Sequence, residues 1–348
     1  MPINTIELTI CIPVYNCGEF INQMLDSVCG QLSSTCDTIE VLVVDGASID
    51  DTAAIVNDHA ARSKQVRYVR LPRRGGIDAD LAECLRLARG KYCWLFSGDD
   101  MMRDGALKSA LDWLLQGHDV YLSKHSSCDL HMKMLGECPV FTTDSIRIAE
   151  LSDPEQRVAY LRAAVTTEAV FSFISGIIVR RDKWFSVDDP REFMGSCWAH
   201  VARLLTVAQR RLSVCYVGEI WVDKRGDNDS FLSRGHVCRL GITVDGYQRI
   251  ANHFFGRASP EAAQIRRMLG NEYPLPVWLS AKCRTYEEPE IESRRELDRL
   301  VRICYSGADV KSYLIRAAYI LTPVHAFRML RWIYRLMNSE GQIDVIRK

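Results

Sequence analysis

The chain has no run of about 18 apolar residues, so nothing in it reads as a membrane-spanning helix. It has no excess of charge of either sign. Lys+Arg and Asp+Glu both count 44, which leaves no global field to draw in nucleic acid. It has no CxxC pair. The 13 cysteines are scattered, odd in number and often set in apolar segments, as Cys11, Cys93 and Cys215 are. That pattern offers no paired zinc ligands and fits buried free thiols in a reducing cytoplasm. The start, residues 1–7, lacks the basic and apolar regions of a signal peptide, so a cytoplasmic location is expected. Internal repeats and low-complexity stretches are also missing.

What is present begins with alternation. Residues 8–14 are short, apolar and β-branched, and break at Tyr15-Asn16-Cys17-Gly18. Residues 19–31 then place Phe20, Ile21, Met24, Leu25 and Val28 at helical spacing. Further strands are predicted over 40–44, 66–71 and 91–96, with helices over 51–63 and 77–89; Ser48 or Asp50 can cap the first of these helices and Gly90 stops the second. Helix-linked strands with continuous apolar runs imply a parallel sheet covered on both faces, in which ligands bind beyond the carboxyl ends of the strands. Beyond residue 100 the spacing predicts helices over 106–116, 154–165 and 196–210, and strands over 119–124 and 212–222. A hairpin is expected in 126–141, and a strand or tight turn in 170–180 around Ser175-Gly176. Residues 223–230 read as a polar loop, and helices dominate from 237.

The sharpest local feature is Ser97-Gly98-Asp99-Asp100, at the exit of the apolar run Tyr92-Cys93-Trp94-Leu95-Phe96. Adjacent carboxylates repel and raise each other's pKa unless a cation sits between them. Oxygen-rich sites of this kind suit Mg²⁺ or Mn²⁺, with water and substrate phosphate completing the shell. A solvated Asp-Asp turn is the plainer reading. Tyr15, Asp45 and Asp99-Asp100 all fall at predicted strand ends, and that coincidence argues for a site.

On the residues Thr9-Ile10-Cys11-Ile12-Pro13-Val14-Tyr15-Asn16, Val43-Val44-Asp45-Gly46-Ala47-Ser48, Gly75-Gly76-Ile77-Asp78 and Ser97-Gly98-Asp99-Asp100, the chain resembles the family 2 glycosyltransferases of the GT-A fold. Two later pieces, residues 175–181 and 195–200, resemble the branch that includes O-antigen abequosyltransferases. The resemblance implies an α/β GT-A fold: a Rossmann-like, mixed, mainly parallel sheet flanked by helices, with a helical C-terminal extension. It implies a nucleotide-sugar-binding half over 1–125, an acceptor-binding half over 126–235 and a helical region over 236–348. Pro13 and Tyr15 would line the base pocket and Asp45 would hydrogen-bond base or ribose. Asp78 would lie beside the nucleotide, Asp99 would contact ribose or metal, and Asp100 would ligate the metal, Mn²⁺ or Mg²⁺.

The pattern departs from the family where many members carry Glu-Asp at a helix start, the Asp serving as base. Ala199-His200 stands there. His200 can act as a general base at neutral pH, and is also the kind of lone helical histidine that is often structural. Glu192, Asp188 and Asp189, just upstream, compete for the role. No Gln-x-x-Arg-Trp motif is present, which argues against polymerising synthases and for single-sugar transfer. In Arg225-Gly226-Asp227-Asn228-Asp229-Ser230, Lys224 or Arg225 would add charge at a diphosphate and Asn228 or Asp229 would touch the acceptor. The alternative is a surface turn.

Residues 311–337 hold two basic amphipathic segments around Thr322-Pro323. Arg328, Arg331 and Arg335 share a face, beside Trp332 and Tyr334. This pattern fits a helix lying in a membrane interface, a helix packed on the enzyme, or an oligomer contact. The resemblance implies a metal-dependent, inverting transferase of one sugar, a deoxyhexose. It would move the sugar from a nucleoside diphosphate to a saccharide, lipid-linked, in surface polysaccharide assembly at the inner face of the membrane. Two alternatives stand beside it. One is a nucleotidyltransferase, which should carry an N-terminal Gly-rich phosphate loop that residues 13–18 do not form. The other is a degenerate nucleotide-sugar-binding scaffold.

Overall fold

The computed structural model describes residues 5–32, 37–307 and 309–329. These fall into two compact units, one of residues 1–163 with 168–228 and one of 164–167 with 229–348.

The first unit opens with the alternation that the apolar runs dictate. It runs β1 (Leu8–Val14), α1 (Ile21–Cys29), β2 (Ile39–Asp45), α2 (Thr52–Arg62), β3 (Val66–Arg70), α3 (Ile77–Leu87) and β4 (Tyr92–Leu95). β1, β2 and β4 are buried nearly throughout, as strands covered on both faces must be. The polar exceptions are paired. Thr9 donates to Glu40 Oε2 and accepts from the Gly90 N–H, both at 2.8 Å, and Arg67 neutralises Glu40 at 2.8 Å. α1 and α2 are shorter at both ends than the spacing predicted, and α3 ends at Leu87.

The chain continues through β5 (Met101–Met102), α4 (Ala106–Leu114), β6 (Val120–Cys128), β7 (Met134–Cys138), β8 (Arg147–Glu150) and α5 (Pro154–Ala163). Next come β9 (Ile177–Arg180), the one-turn α6 (Arg181–Trp184), α7 (Ala199–Ala208) and β10 (Ser213–Lys224). The sheet order is β3-β2-β1-β4-β9-β6-β10-β5, with β7 on β6 and β8 on β10. β3, β2, β1 and β4 are mutually parallel. β9 enters antiparallel to both β4 and β6, and β10 restores a parallel pair with β6. The expected hairpin is β6–β7. Residues 170–180 are both of the forms expected, a 3₁₀ turn at Ile174–Gly176 and then β9. β5 and β8 were not foreseen. Two and four residues long, they are held by pairing to β10 rather than by any pattern of their own.

β10 runs two residues further than predicted, so Lys224 is a strand residue and the loop begins at Arg225. Its register with β6 shifts between Tyr216 and Ile220. Gly218 makes that bulge, with φ +74° and a position where any Cβ would stand 1.9 Å from the Asp144 carbonyl oxygen.

The second unit is helical: α8 (His236–Phe255), α9 (Pro260–Glu272), α10 (Leu275–Glu287), α11 (Arg294–Cys304) and α12 (Val310–Leu321). Ser259, Ser293 and Asp309 cap α9, α11 and α12 through their side-chain oxygens. Lys282 of α10 donates to the Tyr319 and Thr322 carbonyls at the end of α12, at 2.7 and 2.8 Å. Val310, Tyr313, Leu314, Ile320 and Leu321 on α12 stay exposed. Of the basic tail, Arg331, Trp332, Tyr334 and Arg335 lie outside the described residues. Among the described residues no helix is long and apolar enough to cross a membrane.

Gly218→Ala should lower stability by about 1–3 kcal/mol, through the positive φ and the clash with Asp144. A urea titration with an unchanged midpoint would show that the bulge tolerates a side chain.

Candidate active site

The parallel strands β1, β2 and β4 end on one edge, the edge where ligands bind in sheets of this kind. Asp45 closes β2 and is fully buried. Its Oδ1 accepts from the Ser48 N–H at 2.8 Å and the Ser48 hydroxyl at 2.6 Å. Its Oδ2 accepts from the Tyr68 hydroxyl at 2.6 Å and faces Arg70 Nη1 at 3.4 Å. Burial, and then the Asp45 charge, push the Tyr68 phenol up to about 12. The four acceptor positions of the carboxylate are thus all occupied. Ser48 also accepts from the Asn16 N–H at 2.8 Å, which brings the β1 exit against the β2 exit. Pro13 and Tyr15 are half-buried beside this knot, and the Arg74 guanidinium sits 3.9 Å from the centroid of the Tyr15 ring. Pro13, Tyr15 and Asp45 are therefore brought together. Tyr68, Arg70 and Arg74 join them unforeseen, although alternation on β3 puts residues 68 and 70 on one face.

Asp78 takes a different post. It accepts from the backbone N–H groups of Cys197 at 2.9 Å and Ala199 at 3.2 Å, and so holds the N-terminus of α7, where a negative charge is favoured. Asp80, which sequence reasoning missed, is the carboxylate nearer Asp45. It accepts from the Gly75 N–H at 3.0 Å, and its Oδ2 lies 2.7 Å from where a Cβ on Gly46 would stand. Burial raises its pKa. A carboxylate in the first turn of a helix that follows Gly-Gly is the signal that could have found it.

Asp99 and Asp100 stand at the exit of β4. Asp100 is buried; Oδ2 accepts from the Ser175 hydroxyl at 2.6 Å and Oδ1 from the Arg225 N–H at 3.1 Å. Burial first, and then the neighbouring Asp99 charge, raise its carboxyl to about 7. Asp99 accepts from the Ser97 hydroxyl and from the Asn228 side-chain amide. Two carboxylates in repulsion, one of them desolvated, are the donor set that a hard divalent cation relieves, with phosphate and water oxygens filling its other positions. Among the described residues no group of three or more His, Cys, Asp or Glu forms a protein-only metal cage, so a cation here would depend on ligands from substrate and solvent.

The two basic residues at the end of β10 and the start of the loop divide. Arg225 is buried and fully engaged, with Nε on the Asp99 carbonyl at 2.8 Å, Nη1 on the Leu130 carbonyl at 2.5 Å and Nη2 on Gln23 at 2.8 Å. Lys224 is half-buried, close enough to lower the Asp100 pKa, and makes no ion pair among the described residues. Asp229 belongs to the second unit, where it accepts from the Phe231 N–H at 2.9 Å and pairs with Arg239.

The base candidates also separate. His200 is buried, and its Nε2 lies 2.9 Å from the Phe171 carbonyl oxygen. Because a carbonyl only accepts, Nε2 carries the hydrogen and Nδ1 keeps its lone pair. Burial lowers its pKa, against the Phe171 bond and the Asp78 charge. Asp189 is exposed and pairs with Arg203, while Glu192 is exposed on the turn Arg191–Phe193.

The family model described as Glycosyl transferase family 2 matches residues 9–131. "Abequosyltransferase RfbV" of Salmonella typhimurium is 28% identical over 277 residues, covering 78% of this chain and 81% of that protein. "Chondroitin synthase" of Escherichia coli is 32% identical over 105 residues, 30% of this chain and 15% of its own length. The solved structure of S. aureus TarS 1–349 in complex with UDP-GlcNAc covers 95% of this chain and 92% of its own, with a TM-score of 0.59 and 14% identity. At that identity the likeness establishes the GT-A-like fold and nothing finer.

Proposed function

We propose that this chain, a glycosyltransferase that carries the family 2 domain and resembles its abequosyltransferase branch, inverts the anomeric centre as it moves one deoxyhexose. The sugar leaves a nucleoside diphosphate and joins a hydroxyl of a lipid-linked saccharide in O-antigen or related surface polysaccharide assembly. The observation that carries the reading is the Asp99–Asp100 pair, held at one strand exit by Ser175 and Arg225, with Tyr15 and Asp45 at the neighbouring strand exits. Neither the nucleotidyltransferase nor the scaffold alternative draws support from an observation of this structure.

In this reading the base lies against Tyr15 and Pro13, and the Asp45 knot sets the pocket wall. The diphosphate reaches Asp99 and Asp100, which would hold Mn²⁺ or Mg²⁺; the cation's contribution is to offset the charge that the departing diphosphate gains. Lys224 supplies a second positive charge there, since Arg225 is committed to the Asp99 carbonyl, Leu130 and Gln23. His200 Nδ1 takes the proton of the acceptor hydroxyl, whose oxygen attacks the anomeric carbon as the bond to the diphosphate breaks. Attack by an oxygen opposite the leaving group inverts the centre. Asp78 and Phe171 hold His200 in place, one through the α7 terminus and one at Nε2.

The exposed apolar residues of α12, with the basic and aromatic sequence that follows, support peripheral contact with an anionic membrane surface. Lys282 fastens the helix by its last carbonyls and leaves Val310, Tyr313, Leu314, Ile320 and Leu321 outward.

A thermal-shift panel of UDP, GDP, CDP and dTDP, each with and without Mn²⁺, tests the central reading. One nucleotide at about 100 times its Kd should stabilise the wild type by about 2.7 kcal/mol with metal, and Asp100→Asn should lose that gain. No nucleotide response would overturn the assignment. For His200, kcat of the wild type should fall as pH drops through a value below the ordinary histidine pKa of about 6.5, because the proton removes the base. His200→Asn should lower kcat by about 10²–10⁴-fold and abolish that limb; a retained limb assigns the base elsewhere. Sedimentation with anionic liposomes at low salt should carry the protein down, less so after Leu314→Glu. Absence of binding removes the membrane contact, and a concentration-dependent rise in mass without lipid would point to an oligomer instead.

A further inference from the structure

His125 is fully buried within β6, opposite Val222 of β10. Its Nδ1 lies 3.2 Å from Glu168 Oε2. Burial pulls the imidazole down, but the Glu168 carboxylate and then Cys138 lift it to about 9. A buried charge pair of this kind seldom adds stability over an apolar pair of equal volume. Packing alone therefore does not explain it.

Its neighbours show where it acts. The His125 ring packs on Phe173 with centroids 4.1 Å apart, and the Lys224 ammonium lies 5.5 Å from the same Phe173 ring centroid. Phe173 opens the 3₁₀ turn, and its carbonyl accepts from the Gly176 N–H at 3.2 Å. Ser175 in that turn donates to Asp100 at 2.6 Å, accepts from the Ser97 N–H at 3.0 Å, and offers its carbonyl to Trp94 Nε1 at 2.8 Å. The Phe173 ring thus links His125 to both elements near Asp100: it stands at the start of the turn that carries the Ser175 hydroxyl, and it faces the Lys224 ammonium.

We infer that His125 is a positioning residue: gripped by Glu168, it fixes Phe173, and through Phe173 it sets both the Ser175 hydroxyl that aims the Asp100 carboxylate and the seat of Lys224. The inference rests on the reading of Asp99 and Asp100 as cation ligands. It places on the reaction a pair of residues that touch neither substrate nor cation.

The test compares the wild type with His125→Phe/Glu168→Gln, which removes both charges together and keeps a flat ring on Phe173. Mn²⁺ is titrated at a saturating level of whichever of UDP, GDP, CDP or dTDP stabilises the wild type, with thermal stability and, in parallel, turnover as readouts. The variant should melt within a few degrees of the wild type and bind that nucleotide unchanged without metal, while needing about tenfold more Mn²⁺ for half its effect. Ser175→Ala should raise the Mn²⁺ requirement similarly, and combining the changes should raise it little further, since both act on one path. An unchanged requirement, or fully additive effects of the two changes, would overturn the positioning role alone. A wild type indifferent to Mn²⁺ would overturn the cation reading as well.

Discussion

Two carboxylates side by side at one strand exit are the constraint around which the first unit is arranged. Asp99 and Asp100 repel each other, and burial adds to the difficulty by taking Asp100 out of water. The chain answers with donors from three other places: the Ser175 hydroxyl from the turn before β9, the Arg225 N–H from the end of β10, and the Asn228 amide beyond it. None of these carries a net positive charge onto the carboxylates. The repulsion is restrained in position but not neutralised, which is the electrostatic state that favours a cation arriving with an anionic substrate.

Asp45 shows the opposite solution. Fully buried, it is satisfied by Ser48, Tyr68 and Arg70, and so serves as a fixed wall rather than a charge in need. The same contrast separates Lys224 from Arg225. A guanidinium has a planar fork that can meet several acceptors at once, and Arg225 uses it to tie Asp99, Leu130 and Gln23 together. A lysine has a single mobile charge, and Lys224 keeps its own. Adjacent residues thus differ: one cation is committed to three acceptors and the other is in no ion pair among the described residues.

Much of the fold was legible. β1, β2 and β4 were readable because strands buried on both faces need unbroken apolar runs, and few other elements write such runs. β5 and β8 were not readable, because their pairing energy comes from β10 and not from their own residues. Within the site, Asp45 and Asp99–Asp100 were visible by type and by position at strand ends. Asp78, expected beside the nucleotide, also holds the backbone of α7 with both its oxygens, and nothing near it in sequence announces that partner. Asp80, two residues on, carried no signal beyond a carboxylate after Gly-Gly. Lys224 and Arg225 read as equal candidates for charge at a diphosphate, because nothing local reveals that Arg225 has partners in α1 and at residue 130.

What the sequence determined by itself is the part that depends on near neighbours. That part includes the parallel half-sheet and the placing of Tyr15, Asp45, Asp99 and Asp100 at strand exits. These follow from side-chain periodicity and turn chemistry within about ten residues. Only the tertiary structure decided which charged groups remain available. Ser175 reaches Asp100 across 75 residues of chain, Arg225 reaches Asp99 across 126 and Asn228 across 129. A hydrogen bond neutralises or frees a group by where its partner stands in space, and at such separations no local pattern records the partner.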